Sequence, residues 1–209
     1  MRTSILGLLK TLSLGIALLA VLTLSQGVAR ADEVTVTGST TGVVSGVPQL
    51  TFTGNANFTG TTALGIGSFS GPNSLGSFFL STDPGGPVLV AGTFTLNVTF
   101  SVPTGIAGGN STTYTAVITG SVSPNINQGG VTIDFNNTPQ TFVFNDGINV
   151  GTFTVTVADL FVQSGQSANL TAGLLGSQQP IPEPATMLLL GTGLAGVAAR
   201  IRKRRNATK

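Results

Sequence analysis

The chain has 209 residues, of which 41% are hydrophobic and 8% are charged, and it contains neither His nor Cys. All nine Lys and Arg residues lie within the first 30 or the last 10 positions, whereas the seven Asp and Glu residues lie between positions 32 and 183. The long middle of the chain is therefore acidic, which excludes a basic nucleic-acid-binding surface, and the missing residue types exclude disulfides, His- or Cys-based catalysis and soft metal sites.

Residues 1–31 have the layout of a secretory signal peptide. Arg2 and Lys10 precede an apolar stretch over residues 11–24, and the small residues Ala29 and Ala31 follow. This order predicts cleavage by signal peptidase after Ala31, so that the mature chain starts at Asp32 outside the cytoplasm. An uncleaved N-terminal membrane helix is the alternative, which the Ala-Arg-Ala site and the modest apolar length disfavour.

Residues 32–176 are predicted to form a mainly β body, an antiparallel β-sandwich or barrel. In "GTFTLNVTFSV" the apolar residues alternate with polar ones, a period of two that is typical of a half-buried strand. The alternation predicts that Phe94, Leu96, Val98, Phe100 and Val102 share the buried face. "FVFNDGINVGTF" predicts a hairpin that turns at Asp146-Gly147. Further strands are predicted at "EVTVTG", "QLTFTG", "GSFFLST", "TYTAVITGSV", "VTIDF", "QTFVF" and "GTFTVTVADLFV".

Four acids of the body could carry chemistry. Asp83 in "STDPGGP" and Asp146 in "NDGIN" have the surroundings of turn residues, whereas Asp134 and Asp159 lie in or beside predicted strands. Asp134 and Asp159 are therefore the candidate ligand or metal-binding residues. We expect no enzyme and no cofactor. The alternatives are a glycan hydrolase that uses two carboxyl groups within about 10 Å of each other, and a Ca²⁺-dependent adhesion or carbohydrate-binding module.

Thr-x-Thr pairs recur along the body and raise the possibility of an ice-binding surface. The pairs begin at Thr35, Thr51, Thr93 and Thr152. A ladder of such pairs on successive coils needs a fixed sequence period, and these separations do not repeat. The spacing disfavours ice binding.

The C-terminal residues follow a three-part order. After a predicted linker at 177–181, the segment 182–205 begins with Pro182, Glu183 and Pro184. Residues 185–199 are then apolar or small throughout, and counting to Ile201 gives a predicted transmembrane helix, 185–201, of just sufficient length to cross a bilayer. The segment closes with a basic cluster that favours the cytoplasmic side, and residues 206–209 form a short tail. The basic residues predicted to stop transfer across the membrane are Arg200, Arg202, Lys203, Arg204 and Arg205.

This succession resembles the PEP-CTERM sorting signal of bacterial surface proteins. The resemblance rests on Pro182-Glu183-Pro184, the run "MLLLGTGLAGVAA" and the basic "RIRKRR" in that order. It implies recognition of Pro182, Glu183 and Pro184 by exosortase, a transient membrane-anchored precursor, and delivery of the body to the cell envelope or extracellular matrix. A plain permanent anchor is the alternative. An association with exopolysaccharide is inferred from the polar composition of the body alone.

Overall fold

The computed structural model describes residues 33–180 and, beyond them, residues 190–194, 196, 197 and 200. Within this part of the chain, residues 33–180 form thirteen strands and one short 3-10 helix, Gly71–Asn73. The strands are β1 (Thr35–Ser45), β2 (Leu50–Gly54), β3 (Phe58–Thr61), β4 (Ile66–Phe69), β5 (Gly76–Leu80), β6 (Val88–Val102), β7 (Ser111–Val122), β8 (Gly129–Phe135), β9 (Gln140–Asn145), β10 (Asn149–Val157), β11 (Leu160–Gln163), β12 (Gln166–Asn169) and β13 (Ala172–Pro180).

These strands form three antiparallel sheets. The largest has six strands in the order β11-β8-β7-β6-β1-β3. A four-stranded sheet has the order β4-β13-β10-β9, and a three-stranded sheet has the order β12-β5-β2. Every strand pair in them is antiparallel. The predicted mainly β, antiparallel body is confirmed.

Phenylalanine rings join the six-stranded sheet to both smaller sheets. Near the middle of β6, the Phe94 ring lies 4.8 Å from the rings of Phe52 on β2 and Phe78 on β5, measured between ring centroids. Six residues further along β6, the Phe100 ring packs on Phe142 of β9 and Phe153 of β10, at 4.8 and 5.0 Å. The core therefore lies between the inner face of the long sheet and those of the two shorter sheets, and β6 contributes to both halves of it.

The alternation predicted for β6 is confirmed from Phe94 to Phe100, but Val102 departs from it. Phe94, Leu96, Val98 and Phe100 are buried, whereas Val102 is 41% exposed. The cause is a shift in the pairing with β1, where Gly38 pairs with Phe100 and Thr37 pairs with Val102. Ser101 is the extra residue of this bulge, so the alternation of side chains inverts there and Val102 points outward.

The sequence predicted that the body ends at residue 176, but in the structure its last strand ends at Pro180. β13 pairs with β10 along its whole length, from Ala172 opposite Val157 to Pro180 opposite Asn149. Residues 177–180, predicted to belong to a linker, are therefore strand. Their sequence, "SQQP", contains no β-branched or aromatic residue, so local preference alone gave no sign of a strand.

The predicted hairpin is present as β9 and β10, with Val150 paired to Asn145. Gly147 has a φ of +88°, the left-handed conformation that glycine adopts without strain. Asp146 closes the turn, since its Oδ1 accepts the backbone N–H groups of Ile148 and Asn149 at 2.9 and 2.6 Å. These hydrogen bonds hold the pKa of Asp146 below its ordinary value.

Candidate functional site

The predicted sorting segment follows directly from the last strand of the body. Pro180 pairs with Asn149 at the end of the four-stranded sheet, and Pro182 is only two residues further along the chain. Pro182, Glu183 and Pro184 lie outside the described residues. An enzyme that recognises these three residues must therefore bind them next to the end of a folded sheet.

Glu33 and Val34, at the start of the described body, lie beside β13. Gln178 of β13 donates a hydrogen bond from Nε2 to the backbone carbonyl of Glu33 at 2.6 Å. Two residues earlier, Gly176 leaves no room for a side chain because Val34 is packed against it. The segment that follows the predicted signal-peptide cleavage site and the strand that leads into the sorting segment are therefore adjacent, although 145 positions separate Glu33 from Gln178.

Part of the predicted transmembrane segment is described. Residues 190–194, 196, 197 and 200 are helical, and Leu190, Leu194 and Val197 are exposed. Within the described residues no helix has both the length and the apolar character needed to cross a bilayer. The other predicted site residues of the two chain ends lie outside the described part; they are Ala29, Ala31, Arg202, Lys203, Arg204 and Arg205.

Asp159, one of the two candidate ligand residues, contacts the end of β8. It follows β10 and directly precedes Leu160, which pairs with Ile133 on β8. Its Oδ1 accepts the backbone N–H of Phe135 at 2.8 Å, and its Oδ2 accepts the Asn137 side-chain amide at 2.9 Å. One carboxylate oxygen therefore binds the last residue of β8 and the other binds the loop that follows it, which is a structural role.

Asp134, the other candidate, directly follows Ile133, which pairs with Leu160, but it makes different contacts from Asp159. It is exposed on β8 opposite Val117 of β7. There it lines a shallow, open depression with Thr93, Thr95, Thr115 and Asn136. Among the residues that the structure describes, no three His, Cys, Asp or Glu side chains are grouped closely enough to hold a metal ion. The depression thus offers one carboxylate among hydroxyl and amide groups.

Rows of neutral polar side chains cross the outer face of the six-stranded sheet, a feature that the sequence did not reveal. Strand pairing places Ser39, Thr99 and Ser111 in one row, and the next row follows two residues along each strand. Neighbours in these rows bond to each other: the hydroxyl oxygens of Thr99 and Ser111 are 3.2 Å apart. The rows extend onto β1, which is distant in sequence from β6 and β7, so no sequence period could indicate them. The second row consists of Thr41, Asn97 and Thr113.

Comparison with known families identifies the C-terminal end of the chain. The family model of the PEP-CTERM protein-sorting motif matches residues 180–204. Neither a curated protein nor a solved structure matches the chain. The match begins at Pro180, the last residue of β13, and covers Pro182, Glu183, Pro184 and most of the basic cluster. The chain therefore carries a PEP-CTERM sorting motif directly after its folded β body, which implies export to the cell surface or envelope through exosortase.

Proposed function

We propose that this chain is an exported, non-catalytic surface or extracellular-matrix protein that exosortase processes at Pro182-Glu183-Pro184. The observation that carries the proposal is the junction at Pro180. There the folded body ends and the match to the sorting motif begins, with no intervening domain. The body is the cargo, and the residues after it direct its delivery.

The two ends of the chain act in sequence in this proposal. Signal peptidase removes residues 1–31 after Ala31, and residues 185–201, which are apolar or small as far as residue 199, hold the precursor in the inner membrane as a single transmembrane helix. The basic residues from Arg200 to Arg205 stay on the cytoplasmic side, which places the body on the far side. Pro182 and Pro184 cannot continue a regular helix, so they present Glu183 on an extended backbone just outside the membrane.

The chemistry of the body supports a binding or structural role more than catalysis. No Lys or Arg occurs between residues 33 and 180, and the chain has no His or Cys to act as a base or nucleophile at neutral pH. A carboxylate-based glycan hydrolase would depend on Asp134 and Asp159. Both oxygens of Asp159 already accept hydrogen bonds from the protein, which disfavours a free catalytic carboxylate there.

The outer face of the six-stranded sheet supports an association with polysaccharide. Rows of hydroxyl and amide groups such as Thr41, Asn97 and Thr113 can exchange hydrogen bonds with sugar hydroxyls. All charged side chains between residues 33 and 180 are acidic. Acidic polysaccharides would be repelled unless cations lay between, so we propose a neutral exopolysaccharide as the partner.

The sorting role is tested by replacing Glu183 with Ala in a host that contains exosortase. Glu183 precedes the apolar run, so membrane insertion is expected to persist while the precursor accumulates uncleaved. Asn206→Ala is the matched control, because Asn206 lies beyond the matched residues 180–204, and it is expected to mature normally. The readouts are gel mobility and the mass of the C-terminal peptide. Equal maturation of the parent and Glu183→Ala would contradict exosortase recognition and favour a permanent anchor.

A further inference from the structure

The sorting segment leaves the body on a short tether. Five peptide links separate Pro180, the last residue of β13, from Ala185, the first residue of the proposed transmembrane segment. Fully extended, they span less than about 20 Å. β6 alone, with 15 residues, is about 45 Å long at the usual rise of a strand. During processing, the end of the body that carries Pro180 must therefore stay close to the membrane, whereas the opposite end is far enough from Pro180 to remain in water.

Two turns project at the Pro180 end, and each exposes a large apolar side chain. Ile148 is at the tip of the β9–β10 hairpin, next to the pair formed by Asn149 and Pro180, and is 72% exposed. Leu64 is in the turn between β3 and β4, and is 93% exposed. This turn is linked to β13, because the N–H of Gly176 donates to the carbonyl of Gly65 at 2.9 Å. The two tips therefore flank the strand that leads into the sorting segment.

The outer face of the four-stranded sheet connects these tips. Ile66 and Leu175 are exposed and directly opposite each other on β4 and β13, and Val143 and Val150 are exposed on β9 and β10. The other outward-facing residues of these four strands are Gly, Ser, Thr, Asn and Gln. We call this surface, with Leu64 and Ile148, the tail-side face. Its four strands present no charged side chain, and Asp146 lies in the turn that carries Ile148. Its apolar residues lie beside the one part of the body that the tether brings to the membrane.

We propose that the tail-side face rests on the lipid surface of the membrane that holds the sorting segment. This inference depends on the proposed function, because the tether brings the face to lipid only if residues 185–201 are in the membrane. Insertion of exposed apolar tips into the interfacial region is favourable, and it needs no basic residues when the tether already supplies proximity. Such seating would hold the chain beyond Pro180 at a fixed height for exosortase.

The chain contains no cysteine, so a single polarity-sensitive fluorophore can be attached at one chosen position. We would label Leu64→Cys and Ile148→Cys in the full chain, reconstituted in phosphatidylcholine vesicles. Leu89→Cys is the matched control, because Leu89 is 87% exposed and pairs with Ser121 at the opposite end of the body. Leu194→Cys, within the sorting segment, reports whether that segment has entered the bilayer.

The expected result is a blue-shifted emission at Leu64, Ile148 and Leu194, with quenching by spin-labelled lipid and protection from aqueous iodide. The label at Leu89 is expected to show no blue shift, no quenching by spin-labelled lipid and full access to aqueous iodide. If the Leu194 label is lipid-quenched but those at Leu64 and Ile148 are as open to iodide as that at Leu89, the inference is wrong and the sorting role stands. A Leu194 label that is accessible to iodide would contradict both the lipid contact of the tail-side face and the membrane insertion on which the sorting role depends. If the labels at Leu64 and Ile148 are protected from iodide only after exosortase is added, the inference is wrong, because the face then contacts exosortase and not lipid.

Discussion

At the scale of single residues, the buried phenylalanines are the clearest link between sequence and stability. Phe94 is fully buried, and its ring is 4.8 Å from each of Phe52 and Phe78 and 6.1 Å from Phe135. The alternating pattern around it was sufficient to predict that it faces the core. The pattern could not show which other rings it meets, because those are set by the pairing of strands distant in sequence.

Replacement of Phe94 by Ala is expected to lower the free energy of unfolding by about 3–5 kcal/mol, because it leaves a cavity where the six-stranded and three-stranded sheets pack together. Phe79 is the matched control, since it neighbours Phe78 on β5 but is 45% exposed. Phe79→Ala is expected to cost about 1 kcal/mol or less. Urea unfolding followed by circular dichroism measures both changes. Equal losses in the two variants would contradict the assignment of Phe94 to the core.

Asp146 gives the hairpin turn a dependence on pH. Its pKa is lowered in the folded state, chiefly by the backbone N–H groups of Asn149 and Ile148, so the unfolded chain takes up a proton more readily. The stabilisation it provides is complete above about pH 4, the ordinary range of an aspartate, and is lost as the pH falls through the lower folded pKa. Asp146→Asn keeps an acceptor oxygen but does not titrate. The stability advantage of the parent over this variant is expected to shrink between pH 6 and pH 3 in urea titrations, and an advantage that is constant over that range would contradict the role.

At the scale of elements, strands with regular alternation were predictable and short or irregular ones were not. β6 and β10 follow the alternation of apolar and polar residues, and both were expected from it. β3, β4 and β12 have only four residues each, too few to establish a period. β13 is strand because it pairs with β10 over nine residues, although Gly173 and Gly176 disfavour strand locally. Tertiary pairing therefore decided the end of the body, which local sequence had placed earlier.

Gly38 lies in β1 between β3 and β6, and its replacement tests how closely these three strands pack. A Cβ at this position would overlap the carbonyl oxygen of Thr99 and the ring of Phe58. Gly38→Ala is therefore expected to destabilise the body by about 1–3 kcal/mol. Gly173→Ala in β13 is the matched control, because the nearest atom to its Cβ, the Thr156 oxygen, is 3.9 Å away. That variant is expected to be neutral or slightly stabilising in thermal unfolding. A Gly38→Ala variant as stable as Gly173→Ala would contradict the packing.

At the scale of the whole molecule, sequence order was more informative about the chain ends than about the body. The sorting motif is a linear signal, so Pro182, Glu183, Pro184 and the basic cluster could be recognised without any fold. The family model matches residues 180–204, which include Pro182, Glu183, Pro184 and most of that cluster. The candidate site on the body could not be predicted in the same way. Asp134 and Asp159 were singled out by position, but only the strand pairing shows that Asp159 binds the loop after β8. The hydroxyl rows and the tail-side face likewise exist only after strands distant in sequence have paired.

The central claim is that both chain ends are processed around one intact β body, and intact-mass analysis of the protein recovered from its native cell tests it most directly. The account predicts a chain that begins at Asp32 and ends near Pro182-Glu183-Pro184, with any added glycan or anchor seen as a further mass. It also predicts that cells lacking exosortase contain a longer form that keeps residues 185–209. A mature protein whose mass includes the complete C-terminus to Lys209, in cells that contain active exosortase, would contradict the account.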